Sequence, residues 1–319
     1  MLISRKLPII RRASSEFLLL LVPLILLLAT VMIISPLAVL AQQKNKRDAE
    51  ATKTPPAATA ATPALTRTTT RHEVRRFGYG GSITILGAPT GSITIEAWPR
   101  SEIDITADIE LHAETEEDLA RLSQVNSFLL DEDVNHLRVL TTGTHDKKFM
   151  RRAAKDFPKK LLGLPWKIDY HLRVPASVDL EIDVGRGAFS LTGVEGAIRF
   201  TAVESDAKLT LTGGAVTATV GRGSIHVNLA ARNWRGYGAD IRLATGDLTV
   251  ELPASFSADI DASVLRTGQI ENSYSGLEPR ERTTMTPRSI KARAGAGGPT
   301  LLFTVGDGTL RITQTSSEQ

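Results

Sequence analysis

Asp179, Glu181 and Asp183 alternate along one short segment of this 319-residue chain, the spacing that most suggests a cation site or acid–base pair. In an extended strand, residues i and i+4 stand about 13 Å apart, so the outer acids cannot close on one ion unaided. The interleaved Val178, Leu180, Ile182 and Val184 supply an apolar row, which makes the acids the solvated side of a strand. Glu110 and His112 share a strand face and offer two metal ligands without a third. The six histidines (72, 112, 136, 145, 171 and 226) show neither HExxH nor paired helical spacing. A Gly-x-Ser-x-Gly elbow is absent, so a serine hydrolase lacks its usual mark. Gly185-Arg-Gly and Gly221-Arg-Gly lack the third glycine of a dinucleotide fingerprint and the Lys-Ser/Thr of a P-loop, and are expected to be strand corners. Threonines at 210/212 and 217/219 give two Thr-x-Thr strands, a pattern the remaining units do not continue. The chain has no cysteine, which excludes disulfides, thiolate metal sites, thiol nucleophiles and thioether lipid anchors. The expectation is a protein with no catalytic, cofactor-binding or metal-binding residue.

Charge narrows the partners. Lys and Arg number 38 against 35 Asp and Glu, but Arg5, Lys6, Arg11 and Arg12 against Glu16 supply the whole formal excess of +3. The rest is neutral and only 5% aromatic. Nucleic acid is excluded as a partner, since neither a phosphate-neutralising field nor stacking platforms are present.

Those four cations precede 25 uncharged residues, Phe17–Ala41. Cations before an apolar run predict a cytoplasmic N-terminus. The run is long enough for a retained span, about 20 residues, while Ala38–Ala41 also provides a cleavage context. Residues 1–41 are therefore a signal peptide or a membrane anchor, and the remainder is expected to be exported to the periplasm or cell surface. Residues 42–75 are expected to be a disordered linker. Of residues 42–71, 18 of 30 are Ala, Thr or Pro, and Leu65 is the one large apolar side chain.

Beyond residue 76 the dominant period is two, the signature of strands with one buried face. Ile83/Ile85, Ile93/Ile95, Ile103/Ile105, Leu137/Val139 and Ile168/Tyr170/Leu172/Val174 alternate with polar residues. A five-residue unit, Gly-x-apolar-x-apolar, starts at Gly81, Gly91, Gly187, Gly223, Gly246 and Gly308, with weaker copies at Ala207, Gly268 and Arg288. The seven units from 187 to 308 cover 121 residues in six steps, averaging about 20. A second strand type begins at Gly196, Gly214 and Gly238. Residues 76–315 are therefore an all-β domain, a solenoid-like stack of short strands with an antiparallel sandwich as the alternative. Gly187, Gly223, Gly246 and Gly308 are assigned to equivalent turns with φ > 0.

A helical and basic insertion interrupts the strands at about 115–165. Thr115-Glu116-Glu117-Asp118 begins a helix carrying Leu119, Leu122 and Val125 at helical spacing. A second helix is expected over 145–157. It presents Phe149, Met150, Ala153, Ala154 and Phe157 on one face, with Lys148, Arg151, Arg152 and Lys155 on the other. Seven cations and two anions lie between His145 and Lys160. The apolar face packs on the sheet, or the helix lies on an anionic membrane through Lys147, Lys148, Arg151, Arg152 and Lys155.

The segment VPASVDLEIDVGRGAFSLTGVEGAIRF from Val174, the later LPASFSADID from Leu252 and the terminal GDGTLRI together resemble the bacterial putative-adhesin family of β-strand-repeat envelope proteins. The resemblance spans Phe77 to Gln314 and includes the helix at 115–125. This chain carries Arg186, Arg222 and Asp307 where that family shows Asn between two corner glycines. The resemblance implies an exported, non-catalytic surface module that contacts an envelope, surface or glycan partner, and it transfers no binding residue. Two rival readings are a β-helix polysaccharide-processing enzyme and a periplasmic scaffold or signalling ectodomain.

Overall fold

A computed structural model describes residues 65–78, 80–280 and 283–315 of the chain. The expected membrane segment and residues 42–64 of the expected linker lie outside the described residues. Sixteen strands make one mixed sheet: β1 (Leu65–Arg76), β2 (Ser82–Thr90), β3 (Ile93–Trp98), β4 (Glu102–Ala113), β5 (Ser127–Asp133), β6 (His136–Thr142), β7 (Trp166–Pro175), β8 (Asp179–Arg186), β9 (Phe189–Thr192), β10 (Ala197–Leu211), β11 (Gly213–Leu229), β12 (Arg235–Leu252), β13 (Ala258–Asn272), β14 (Leu277–Pro279), β15 (Ser289–Ala294) and β16 (Thr300–Gln314). Helix α1 (Glu116–Val125) precedes β5, and helix α2 (Lys147–Ala153) with a 3-10 turn (Lys159–Leu161) lies between β6 and β7.

The fold is all-β. Its middle pairs in parallel at the spacing of the sequence repeat: Leu180 faces Ile198 and Ile198 faces Val216, each 18 residues on, while Val216 faces Ala239, 23 residues on. The resulting row Ile83–Leu180–Ile198–Val216–Ala239–Leu301–Ile260 crosses seven strands, and each member is buried. Beside it runs Ile85–Ile182–Phe200–Ala218–Ile241–Phe303–Ala262. In this second row Ala218 and Ala262 each stand beside a phenylalanine, Phe200 and Phe303, leaving room for the rings. After a corner the strands carry another buried row, Ile93–Phe189–Ala207–Ile225–Leu248–Leu310–Ile270. Phe189 stacks on Phe200 at 3.9 Å, so the rows before and after the corner share one core.

Both ends depart from a uniform stack. At one end β1, β4 and β7 pair antiparallel, as do β5 and β6; at the other, β13, β15 and β14 do. The strand beside β12 is the C-terminal β16, 62 residues downstream of its partner, and β13 lies beyond it. The regular period thus holds only from β8 to β12.

Two expected boundaries move. Residues 65–75, placed in the linker, belong to β1, which pairs with β4 along its whole length from Leu65–Ala113 to Arg76–Glu102. Most of its side chains stay exposed, so backbone hydrogen bonds rather than apolar burial hold it, and hydropathy does not mark such an edge strand. Within the expected insertion, residues 127–142 form β5 and β6, and β6 joins the sheet parallel to β2. The Ser289–Ala294 segment, counted as a repeat copy at Arg288, pairs antiparallel and stands outside the parallel ladder.

Candidate binding surfaces

The corners decide where outward side chains stand. Four residues separate the inward positions on either side: 203–206, 221–224, 244–247 and 306–309. The third is Ser205, Gly223, Gly246 and Gly308 in turn, because Ser205 faces Gly223 and Gly223 faces Gly246. The copy assigned to Ala207 therefore starts two residues earlier. Gly187, Gly223, Gly246 and Gly308 have φ of +145°, +127°, +136° and +140°. A Cβ on Gly246 would stand 1.8 Å from the Gly223 carbonyl oxygen, so chain packing as well as φ demands glycine there. Ser205 is the exception: its φ is not positive, its side chain is buried, and its hydroxyl finds no hydrogen-bond partner.

Aspartates lock neighbouring corners together. Asp206 accepts from the Ser224 amide at 3.1 Å and hydroxyl at 2.6 Å, and Asp247 accepts from the Thr309 amide at 3.2 Å. Asp169 does the same to Ser92 at 2.7 and 2.8 Å. Burial pushes the Asp169 carboxyl up, but the Ser92 bonds and Lys167 outweigh it and hold the group below the usual carboxylate range. The hydrogen bonds from Arg266 and Thr267 hold Asp307 far below that range.

The residues singled out for chemistry are engaged in the same manner. Asp179 accepts from the Ala197 amide at 2.7 Å, while Glu181 and Asp183 stand exposed on the same strand. Glu110 lies 2.9 Å from His112 and 3.1 Å from Lys167, and Thr66 occupies the other ring nitrogen of His112 at 3.1 Å. The Lys167 hydrogen bond is the main cause that lowers the Glu110 carboxyl. Asp104, nearly buried, is bound by Arg173 and by His72 at 2.8 Å; burial raises its carboxyl, and those two bonds bring it below its ordinary value. Among the described residues no group of three or more acids and histidines could hold a metal.

Two of the open grooves on the body touch residues singled out above. One, of about 610 Å³, crosses the outer face past Thr84, His136, Asp179, Glu181, Arg199 and Thr217, with no Phe, Tyr or Trp in its wall. The other, of about 780 Å³, has an apolar floor of Leu86, Leu129, Leu140 and Phe149 and a rim of Lys147, Lys148 and Arg152.

The second groove belongs to the basic segment. Its helix is shorter than the alternation suggested: α2 spans Lys147–Ala153, capped by Asp146, which accepts from the Lys148 and Phe149 amides at 2.8 and 3.1 Å. Pro158 and the turn at 154–157 stop it early. Met150 is buried and Phe157 packs against the core, while Phe149 and Ala154 are half-buried and Ala153 is exposed. Lys147, Lys148, Arg151, Arg152 and Lys155 point to water, and no ion pair found among the described residues involves them. Lys160, by contrast, binds Asp118 at 2.9 Å. Helix α1 matches its expected span, with Thr115 accepting from the Asp118 amide and Leu119, Leu122 and Val125 buried. Sequence analysis missed most of the corner aspartates; an aspartate immediately ahead of an inward residue, as in Asp169–Tyr170, Asp206–Ala207 and Asp247–Leu248, was the available signal. It also missed the apolar groove, whose floor comes from three separate strands and α2.

Among the described residues no helix is long and apolar enough to cross a membrane. No family model matches the chain, and no curated protein matches it. Solved structures do match. A putative cell adhesion protein from Clostridium sporogenes is 11% identical, covering 78% of this chain and 100% of its own, with a TM-score of 0.45. A putative adhesin from Bacteroides fragilis is 11% identical over 78% of this chain and 97% of its own, with a TM-score of 0.33. Another from Parabacteroides merdae is 11% identical over 77% and 96%, with a TM-score of 0.19.

Proposed function

We propose that this chain is an exported, membrane-tethered module of the cell envelope that acts by contact rather than catalysis, its partner a surface or glycan component. The observation that supports this reading is the use made of its polar groups. Asp169, Asp179, Asp206, Asp247 and Asp307 each accept from a neighbouring strand's backbone, and Glu110 and Asp104 are neutralised by adjacent cations. Those bonds stiffen a broad outer face, and they leave few acids poised to move a proton. Export rests on the four cations ahead of Phe17–Ala41.

The test has two arms on the full chain. A reporter enzyme active only outside the cytoplasm, fused after Gln319, should be active, and activity of a cytoplasm-only reporter at that site would sink export. Purified protein applied to a panel of glycans and bacterial surfaces should bind saturably without turnover. Saturable glycan cleavage that a single carboxylate substitution abolishes would overturn the contact reading.

A further inference from the structure

We propose that the outward face of the basic segment, Lys147, Lys148, Arg151, Arg152 and Lys155, docks on the anionic lipid surface of the membrane that carries the chain's own apolar segment. The inference rests on the tethered reading above and adds a face, an orientation and a lipid chemistry to it. Three observations converge. First, these five cations are exposed and lack ion-pair partners among the described residues, whereas Lys160, a few residues on, is paired with Asp118. An unneutralised cluster of this size attracts anionic lipid headgroups over about one Debye length.

Second, the chain enters the body on the same side. Leu65 pairs with Ala113 at the end of β4, Arg67 holds Glu116 of α1 at 2.6 Å, and Asp118 of α1 holds Lys160 at 2.9 Å. The entry point and the basic segment are thus linked through two ion pairs on one helix. The 23 residues from 42 to 64 set the greatest possible distance between the apolar segment and β1 at about 80 Å. A tether of that length keeps this end of the body within reach of lipid and raises the local headgroup concentration the cations meet. That proximity favours a lipid surface over a soluble anionic polymer.

Third, the docking mode follows from packing. Met150 is already buried and Phe149 half-buried, so α2 keeps little apolar surface to sink into acyl chains. Contact is therefore electrostatic and peripheral, with the Leu86–Leu129–Leu140–Phe149 groove beside the cations left to receive at most part of a lipid tail. Binding must fall steeply with salt.

The absence of native cysteine makes the experiment clean. Full-length Ala153→Cys, at the exposed end of α2, and Ser275→Cys, exposed in the loop before β14, are each reconstituted into vesicles of neutral phosphatidylcholine or of the same lipid with phosphatidylglycerol. The rate of modification by a water-soluble maleimide is measured. The expected result is about tenfold slower labelling of Ala153→Cys on anionic vesicles only, reversed by about 0.5 M salt and by changing the five cations to Gln, with Ser275→Cys unaffected. Equal labelling on both lipids, or protection unaffected by the Gln changes, overturns the proposal. So does protection by heparin equal to that by vesicles, which would assign the face to a soluble polyanion. Alkaline extraction reports the tether separately: protein released from vesicles refutes anchoring, and its co-sedimentation with the two vesicle types still tests the basic face.

Discussion

Adding one methyl group at Gly246 tests the corner argument most directly. In Gly246→Ala the new Cβ would lie 1.8 Å from the Gly223 carbonyl oxygen and 2.9 Å from its carbon, with φ at +136°. An ordinary carbon–oxygen contact is about 3.3 Å, so β11 and β12 must part by about 1.5 Å or the corner must rotate. Holding a non-glycine residue in that backbone region costs about 1–3 kcal/mol. Parting the strands weakens one or two ladder hydrogen bonds, each with a net value of about 0.5–1.5 kcal/mol. The two costs together come to about 1.5–6 kcal/mol. For a domain of this size each kcal/mol lowers the melting temperature by about 2–4 °C, so the variant should melt about 3–24 °C below the parent. Thr219→Val is the control, because Thr219 is exposed on β11 and valine suits a strand; its change should stay within about 0.5 kcal/mol. Melts of both by far-ultraviolet circular dichroism decide the matter. If Gly246→Ala and Thr219→Val melt together, close approach at the corner is not what selects glycine, and the positional argument fails.

Ser205→Ala removes a buried hydroxyl that has no partner, and should stabilise the protein by about 1 kcal/mol in denaturant titrations; a loss of stability would show that the hydroxyl is satisfied in solution. Asp104→Asn should cost about 1–2 kcal/mol at pH 7, discounted because Arg173 and His72 lie half in water. The Asp104 carboxyl is lowered in the fold, so its contribution is present above the unfolded value near pH 4 and disappears as pH falls through the folded one. The gap between Asp104→Asn and the parent should accordingly close in acid, and a pH-independent gap would refute the ion-pair account. Phe303→Ala, which empties the first half of β16 where it is held between β12 and β13, should cost about 3–5 kcal/mol, and a smaller loss by calorimetry would mean that the C-terminal strand is not seated there.

Period-two alternation, the glycine-led units and the Thr115 cap were legible in the residues because each is a local requirement: a pleat has two faces, a left-handed corner wants glycine, and a helix start wants an acceptor. Those features determined an all-β chain, the helix at 116–125 and the inward side of rows such as Ile83/Ile85, Ile103/Ile105, Leu137/Val139 and Tyr170/Leu172/Val174. They also left the acids of Asp179–Asp183 on the outer side, as the interleaved Leu180 and Ile182 required.

Tertiary structure alone decided which strand lies beside which. Ladder hydrogen bonds are made by the backbone, which carries no sequence label, and any strand with apolar residues at alternate positions satisfies its neighbour equally well. Leu301, Phe303 and Val305 complete the rows of β12 as well as Ile260, Ala262 and Val264 would, so the placement of β16 between those strands is invisible in pattern. The same holds for β1, whose threonines and arginines have no apolar row to announce it, and for Ser205, whose place in the corner column emerges only from facing Gly223. The cations of 147–155 were evident from composition; that none of them finds an ion-pair partner among the described residues was settled by the tertiary structure.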